Sequence, residues 1–435
     1  MNSAIATAIK ELNFRGTVGD VSAQAGLNLE QTQQALNALA ADANGTLKVS
    51  ESGDIIYEFP RNFVGVLRSK NRRLQWLAFW ERVRGVLFYG VRLSFGILLL
   101  LSILLMLLAI VAIIIAATSQ RSDSDRDNRS SGFGGGGMFF VPRFWIGPNW
   151  FWYFNPRYNY YAYQDNPQQS RRVNRSGDES GMNFLEAVFS FIFGDGNPNY
   201  NLESIRWQSI GSIIRQEQGV VTAEQVAPYL DDVDEDEDFM LPVLVRFNGA
   251  PEVSPQGELV YTFPELQVTA QSKDRGVSAY LREKQRVFSE ASQGQLTMAG
   301  GLGVLNLVLA IVLGVLLTGE TAQSLGGLVA FVGGIYGLLI IYAIAFLAIP
   351  AIRYFWLQGQ NQGIAGRNDA RRDRAETLLN PVATVKQKLA FAKQFAQRKL
   401  LKEQDISYSS DQSLAAQETG DQADKEWQQR LERGF

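Results

Sequence analysis

The chain has 435 residues and contains neither cysteine nor histidine. Without cysteine it can form no disulfide and can offer no thiolate to zinc or to an iron–sulfur cluster. Without histidine it has no imidazole for haem, for zinc or for a Cys/His nucleophilic site. The metal chemistry left to it is carboxylate chemistry, with magnesium or calcium. Net charge is also scarce: 41 Lys and Arg against 44 Asp and Glu leave −3. Bulk electrostatics therefore call for neither nucleic acid nor an acidic substrate. Met1-Asn2-Ser3-Ala4 lacks a basic stretch followed by an apolar core, so no signal peptide is expected. No cofactor and no catalytic residue are expected either.

What is present is a repeat. Gly53-Asp54-Ile55-Ile56-Tyr57-Glu58-Phe59-Pro60 returns as Gly257-Glu258-Leu259-Val260-Tyr261-Thr262-Phe263-Pro264. In both copies a turn glycine opens an alternating strand and proline ends it. The match extends back, residues 16–60 against 219–264, pairing Gly45 with Gly249 and Val49 with Val253. Residues 1–60 read as three short helices closed by a hairpin. Ile5, Ile9 and Leu12 share one helical face, Gly26 stops a second helix, and Asn28 caps a third with Ala35, Leu36 and Leu39. Strands at 47–49 and 55–57 flank Glu51-Ser52-Gly53. Three helices and a two-stranded wing make a winged-helix-like module, and residues 200–266 make a second.

Apolar segments are arranged around the two copies. Residues 61–92 form a basic, aromatic juxtamembrane helix with Trp76, Phe79 and Trp80. Residues 93–118 carry no charge and exceed the roughly 20 residues that cross a bilayer. Residues 119–181 are a Gly-rich linker followed by an aromatic, proline-broken stretch suited to the membrane interface. Residues 182–199 are a short apolar helix and a turn cluster. Residues 267–296 are a second basic approach, and 297–349 read as a transmembrane hairpin. There Gly333 and Gly337 offer a small-residue face, and Asn306 is expected to hydrogen-bond across the hairpin. Residues 350–406 are expected to be a basic amphipathic helical region and 407–435 a disordered tail. The fold class is thus an α-rich membrane protein with two winged-helix-like α+β modules and about three transmembrane helices.

Charge argues against a DNA-reading role for the modules. A DNA reader needs Arg or Lys on and around its recognition helix. None lies between Arg15 and Lys48. In the second copy the third helix is preceded by an acidic run, Asp231-Asp232-Val233-Asp234-Glu235-Asp236-Glu237-Asp238. That run complements a helix N-terminus, and it is also a candidate surface for a basic partner or for the chain's own basic flanks. Calcium is the remaining alternative, without the spacing of an EF-hand. The candidate interaction residues are Trp145, Trp150 and Trp152 of the aromatic stretch; Phe184, Phe189 and Phe193 of the short helix; and Asp231, Asp232, Asp234, Glu235 and Asp236.

The run from Phe184-Leu185-Glu186-Ala187-Val188-Phe189 through Gly194-Asp195-Gly196-Asn197-Pro198, with Arg206-Trp207, Gly219-Val220-Val221 and Ala227-Pro228-Tyr229-Leu230, resembles an uncharacterised family of cyanobacterial and plastid membrane proteins. Some plant members carry the label "iron-sulfur cluster biosynthesis". The resemblance implies an integral protein of a thylakoid or plasma membrane, with the lipid bilayer and a membrane or basic protein as partners, no nucleic acid, and oligomeric assembly open. A membrane-anchored protein-binding adaptor or assembly factor is the expected function. The alternative is an oligomeric transporter or channel component, against which stand apolar spans without an ionisable residue.

Overall fold

A computed structural model describes residues 3–70, 72–121, 182–234, 236–271 and 276–411. The first repeat copy contains α1 (Ser3–Glu11), β1 (Arg15–Thr17), α2 (Val18–Ala25), α3 (Leu29–Ala43), β2 (Thr46–Ser50) and β3 (Ile55–Glu58). Local chemistry sets these boundaries. The Thr17 hydroxyl accepts from Asp20 N–H while the Asp20 carboxylate accepts from Thr17 N–H, a capping box that starts α2. The Asn28 side chain accepts from the N–H groups of Glu30 and Gln31 and starts α3. Asn44, left-handed at φ 55°, stops it.

Next come α4 (Phe63–Lys70) and α5 (Arg72–Arg121), then α6 (Phe184–Phe193). The second copy follows: α7 (Leu202–Gln216), β4 (Val220–Val221), α8 (Ala223–Val226), α9 (Leu241–Phe247), β5 (Ala250–Val253) and β6 (Leu259–Thr262). Its α9 also stops at a left-handed asparagine, Asn248. Both hairpins turn on a glycine at positive φ, 86° at Gly53 and 88° at Gly257, where a Cβ would be strained. The sheets share one order: β1-β3-β2 in the first copy and β4-β6-β5 in the second. The chain continues through α10 (Pro264–Gln267), β7 (Val268–Thr269), α11 (Gln293–Leu317), α12 (Glu320–Ser324) and α13 (Leu328–Leu379). It ends, among the described residues, with α14 (Ala383–Phe395), β8 (Lys399–Leu400) and β9 (Ile406–Ser409).

Two compact units result. One comprises Met1–Phe79, Pro198–Gln285 and Gln362–Phe435. In it the two repeat copies share a core: Ala23 and Leu29 of the first are buried with Trp207, Ile210 and Ile214 of the second. At the crossing of α2 and α7, Gly211 lies so close to Ala23 that a Cβ would come within 2.8 Å of its Cα. Beside this contact the fully buried Asp20 pairs with Arg215 at 3.0 Å. Asp20 also accepts from the Thr269 hydroxyl at 2.7 Å and Ala270 N–H at 2.9 Å. The capping residue of one repeat is thus the ion-pair partner of the other.

The C-terminal segment then wraps this unit. Phe391 and Phe395 of α14, with Ala392, pack on Val220 and Val260 of the second copy's sheet. Strand β8 pairs in parallel with β7, and β9 pairs antiparallel with β2. Residues 407–409, expected in a disordered tail, are therefore strand, because the bare outer edge of β2 supplies their hydrogen bonds.

The other unit comprises Trp80–Asn197 and Arg286–Asn361. Among the described residues three helices are long and apolar enough to cross a membrane: Phe79–Ser119, Gln293–Leu317 and Leu328–Leu379. The charge-free run expected to be one span is the C-terminal half of the 50-residue α5, and the hairpin's second arm is the start of the 52-residue α13. Helix α13 continues through Pro350, which leaves only the Phe346 carbonyl without its usual donor. Helices α5 and α11 run parallel. Phe95, midway along α5, stacks on Phe189 of α6, and Gln295, in the first turn of α11, donates to Met182 O just before α6; farther along both helices Ser102 meets Asn306. Helix α13 runs antiparallel to them, with Phe346 over Gly303 and Tyr336 against Gly314. Asn306 thus bonds to Ser102 of α5 at 2.8 Å, not across the hairpin, because α13 fills the Gly303 side of α11 with an aromatic ring. A Cβ on Gly337 would meet open space, so the close approach is made by α11.

Candidate functional site

The acidic run divides into residues held by the chain and residues facing outward. Asp231 is held: Arg206 and Arg371 pair with it, and Arg374 donates to its carbonyl at 3.2 Å and to Leu230 O at 2.8 Å. Arg371, on the last turns of α13, is 1% exposed. It bonds to Asp231 at 2.9 Å through Nε, to Glu283 at 2.8 Å and to Leu281 O at 3.1 Å. Arg367 adds two bonds to Glu283, and these, with Arg371, hold the carboxyl below the usual carboxylate range. Glu237 accepts from the Tyr261 hydroxyl and from Lys388, the latter also bound to Glu224. Burial, then that carboxylate, push the Tyr261 phenol up.

Asp232, Asp234, Asp236 and Asp238 are exposed. Asp234 accepts from Asp238 N–H at 3.2 Å, which shapes the entry to α9. Glu235 lies outside the described residues. Beyond the acidic residues, α9 exposes Leu241 by 58% and Val245 by 74%, with Pro242 between them. The cation on this helix, Arg246, is turned inward: it stacks over Trp207 at 4.0 Å and donates to Gly26 O. Asn28, the cap of α3, reaches Val245 O at 3.4 Å, so α3 begins beside α9. The outward face of α3 is Glu30, Gln31, Gln33, Gln34, Ala38 and Asp42. Two repeated helices therefore present one neighbouring surface, acidic and amide-rich with an apolar patch and no outward cation among these residues.

The Phe184–Phe193 helix has another environment. Phe184 is 1% exposed within the helical bundle. Phe189 stacks on Phe88 and Phe95, and Phe193 on Phe95 while 44% exposed. Arg353 caps the end of this helix, donating to the carbonyls of Ser190, Phe191 and Phe288. Trp145, Trp150 and Trp152 lie outside the described residues. Among the described residues no group of three or more Asp or Glu is placed to hold a metal ion.

The chain is 38% identical over 431 residues to an Arabidopsis thaliana protein described as "Uncharacterized protein At5g03900, chloroplastic", covering 94% of this chain and 79% of that protein. The chain belongs to that protein's family. No protein-family model matches it, and no solved structure does. For this member of the family, sequence reasoning pointed to the acidic run but missed Asp20, Arg215, Arg371 and Glu283. Single buried charges far apart in the chain leave no local pattern.

Proposed function

We propose that the protein is a membrane-anchored adaptor or assembly factor whose two winged-helix-like modules bind a protein, in a plastid thylakoid or related membrane. The observation that carries this reading is the joint face of α3 and α9. It places exposed Leu241 and Val245 beside exposed aspartates, while Arg246, the local cation, is consumed inside. That chemistry suits a basic amphipathic segment of a protein partner and repels phosphates. The chloroplastic relative supports a plastid setting. The long apolar helices support a membrane setting.

The test is co-purification in mild detergent with the variant Leu241→Asp/Val245→Asp. Both side chains are exposed, so the variant should insert and melt as the parent does while losing its partner about tenfold or more, as two contact residues removed from an interface do. Unchanged partner recovery would sink this surface assignment. Binding to duplex DNA at physiological salt by the parent protein would sink the class.

A further inference from the structure

The two repeats protect the outer edges of their sheets by different means. In the first copy β9 covers β2. Ser410 N–H donates to Leu47 O at 3.0 Å, Leu47 N–H donates to Ser410 Oγ at 3.0 Å, and Ser407 Oγ donates to Val49 O at 3.2 Å. Glu51 N–H donates to Asp405 O at 3.2 Å. The matching positions of the second copy, two residues either side of Val253, are Pro251 and Pro255, which have no N–H to offer. Strand β5 is exposed along its length, and among the described residues β6 is the one strand beside it. Proline at outward positions blunts an edge. The second edge needs no cover, whereas the first keeps every donor.

That cover is thin. Leu401, 2% exposed, is the last buried anchor of the described C-terminal segment. From Lys402 to Asp411 every side chain is half-buried or exposed. The ion pairs that tie the segment down lie at the surface: Lys48–Glu403 at 3.3 Å and Arg15–Glu403 at 3.4 Å. Pairs of this kind contribute about 0.2–1 kcal/mol each. Strand β9 thus opens at far lower cost than the unit it covers.

We propose that the outer edge of β2 is an exchangeable strand-docking site, and that its partner in trans is β9 of a second copy of this chain. The edge reads an extended segment with hydroxyls at two positions three apart, Ser407 and Ser410, which satisfy Val49 O and Leu47 N–H. A second copy supplies that segment unchanged. Exchange re-forms every contact of the closed chain, so the two arrangements differ only in connection. Leu401 stays on its own body as the pivot, and the short turn Glu403–Asp405 is the hinge. Two copies held in one bilayer meet at a raised effective concentration, which favours exchange over capture of a dilute foreign strand.

The absence of native cysteine makes the test direct. Val49 and Tyr408 are cross-strand partners. One tagged chain carries Val49→Cys, another carries Tyr408→Cys, and the two are co-reconstituted in liposomes under mild oxidation. The expected product is a mixed disulfide between chains. It should form about fivefold faster at high than at low salt, as loss of roughly 1 kcal/mol of surface pairing implies. Val253→Cys in place of Val49→Cys should give none above background. The double variant Val49→Cys/Tyr408→Cys in one chain confirms that the pair can close. If it closes while the mixed disulfide stays at the Val253→Cys level, the proposal is overturned.

Discussion

Replacing Arg371 by Met tests how α13 grips the second repeat. The side chain is 1% exposed and bridges Asp231, Glu283 and the Leu281 carbonyl. Removing one partner from a buried ion pair costs about 3–5 kcal/mol when the other charge is stranded. Here neither carboxylate is stranded, since Glu283 keeps Arg367 and Asp231 keeps Arg206. Met also retains the apolar stem. The expected cost is therefore about 2–3 kcal/mol, or a fall in Tm of roughly 5–10 °C for a unit of this size. Thermal unfolding of the full chain in mild detergent, followed by far-UV circular dichroism, reads this directly. The pH dependence has a definite sign. Glu283 is held below its ordinary value, so its contribution is complete above the unfolded carboxylate range near pH ~4.3 and is lost as pH falls through the lower folded value. The gap between parent and variant should be constant from about pH 5 to 8 and close at more acid pH. A fall under about 2 °C at neutral pH would refute the reasoning, because an ion network of this geometry cannot be that cheap to break.

Three further outcomes follow from other parts of the molecule. Single cysteines at Ser52 and Gln256 should be labelled from the same face of the membrane, and one at Gln323, in α12 between the spans, from the opposite face; labelling of the first two from opposite faces would refute a one-sided repeat unit. Ser102→Ala should destabilise the bundle by about 1–2 kcal/mol because it leaves the buried Asn306 Oδ1 without its donor, while Asn306→Leu, which also removes an Nδ2 that has no protein partner, should lie within about 1 kcal/mol of the parent. If Asn306→Leu proves the worse of the two, the amide serves something other than Ser102 and the channel alternative gains ground. Pro251→Thr/Pro255→Thr restores two edge donors to the second repeat and should raise its self-association on size-exclusion chromatography; an unchanged elution would show that the prolines do not guard that edge.

The parts of this fold legible in sequence are those written locally. The Gly53 and Gly257 hairpins, the Asn28 cap and the long apolar runs each depend on neighbouring residues, and each could be located from them. The continuity of α13 was not legible, since Pro350 and a change to basic composition both read as a stop. Only the bundle on one side of Pro350 and the Arg367–Arg374 contacts on the other show why the helix persists. The acidic run was legible as a charge cluster, but its division was not: Asp231 is neutralised by Arg371, 140 residues away, while Asp232 stays outside. Strand β9 was invisible because Ile406-Ser407-Tyr408-Ser409, though it alternates, is only four residues long and its partner lies far away in the chain. It is a strand only because β2 has an edge to fill.

That edge has a history in each newly made molecule. The contact between Leu47 and Ser410 joins residues 363 apart. At about 5–20 residues per second, a ribosome takes roughly 20–70 s to make the chain between them. Among the described residues, three helices long and apolar enough to cross a membrane are made during that interval. The first sheet to be synthesised is therefore the last to be closed. A nascent chain waits with β2 open, and the rate at which its C-terminal segment arrives sets how long that edge stays open to pairing with another chain.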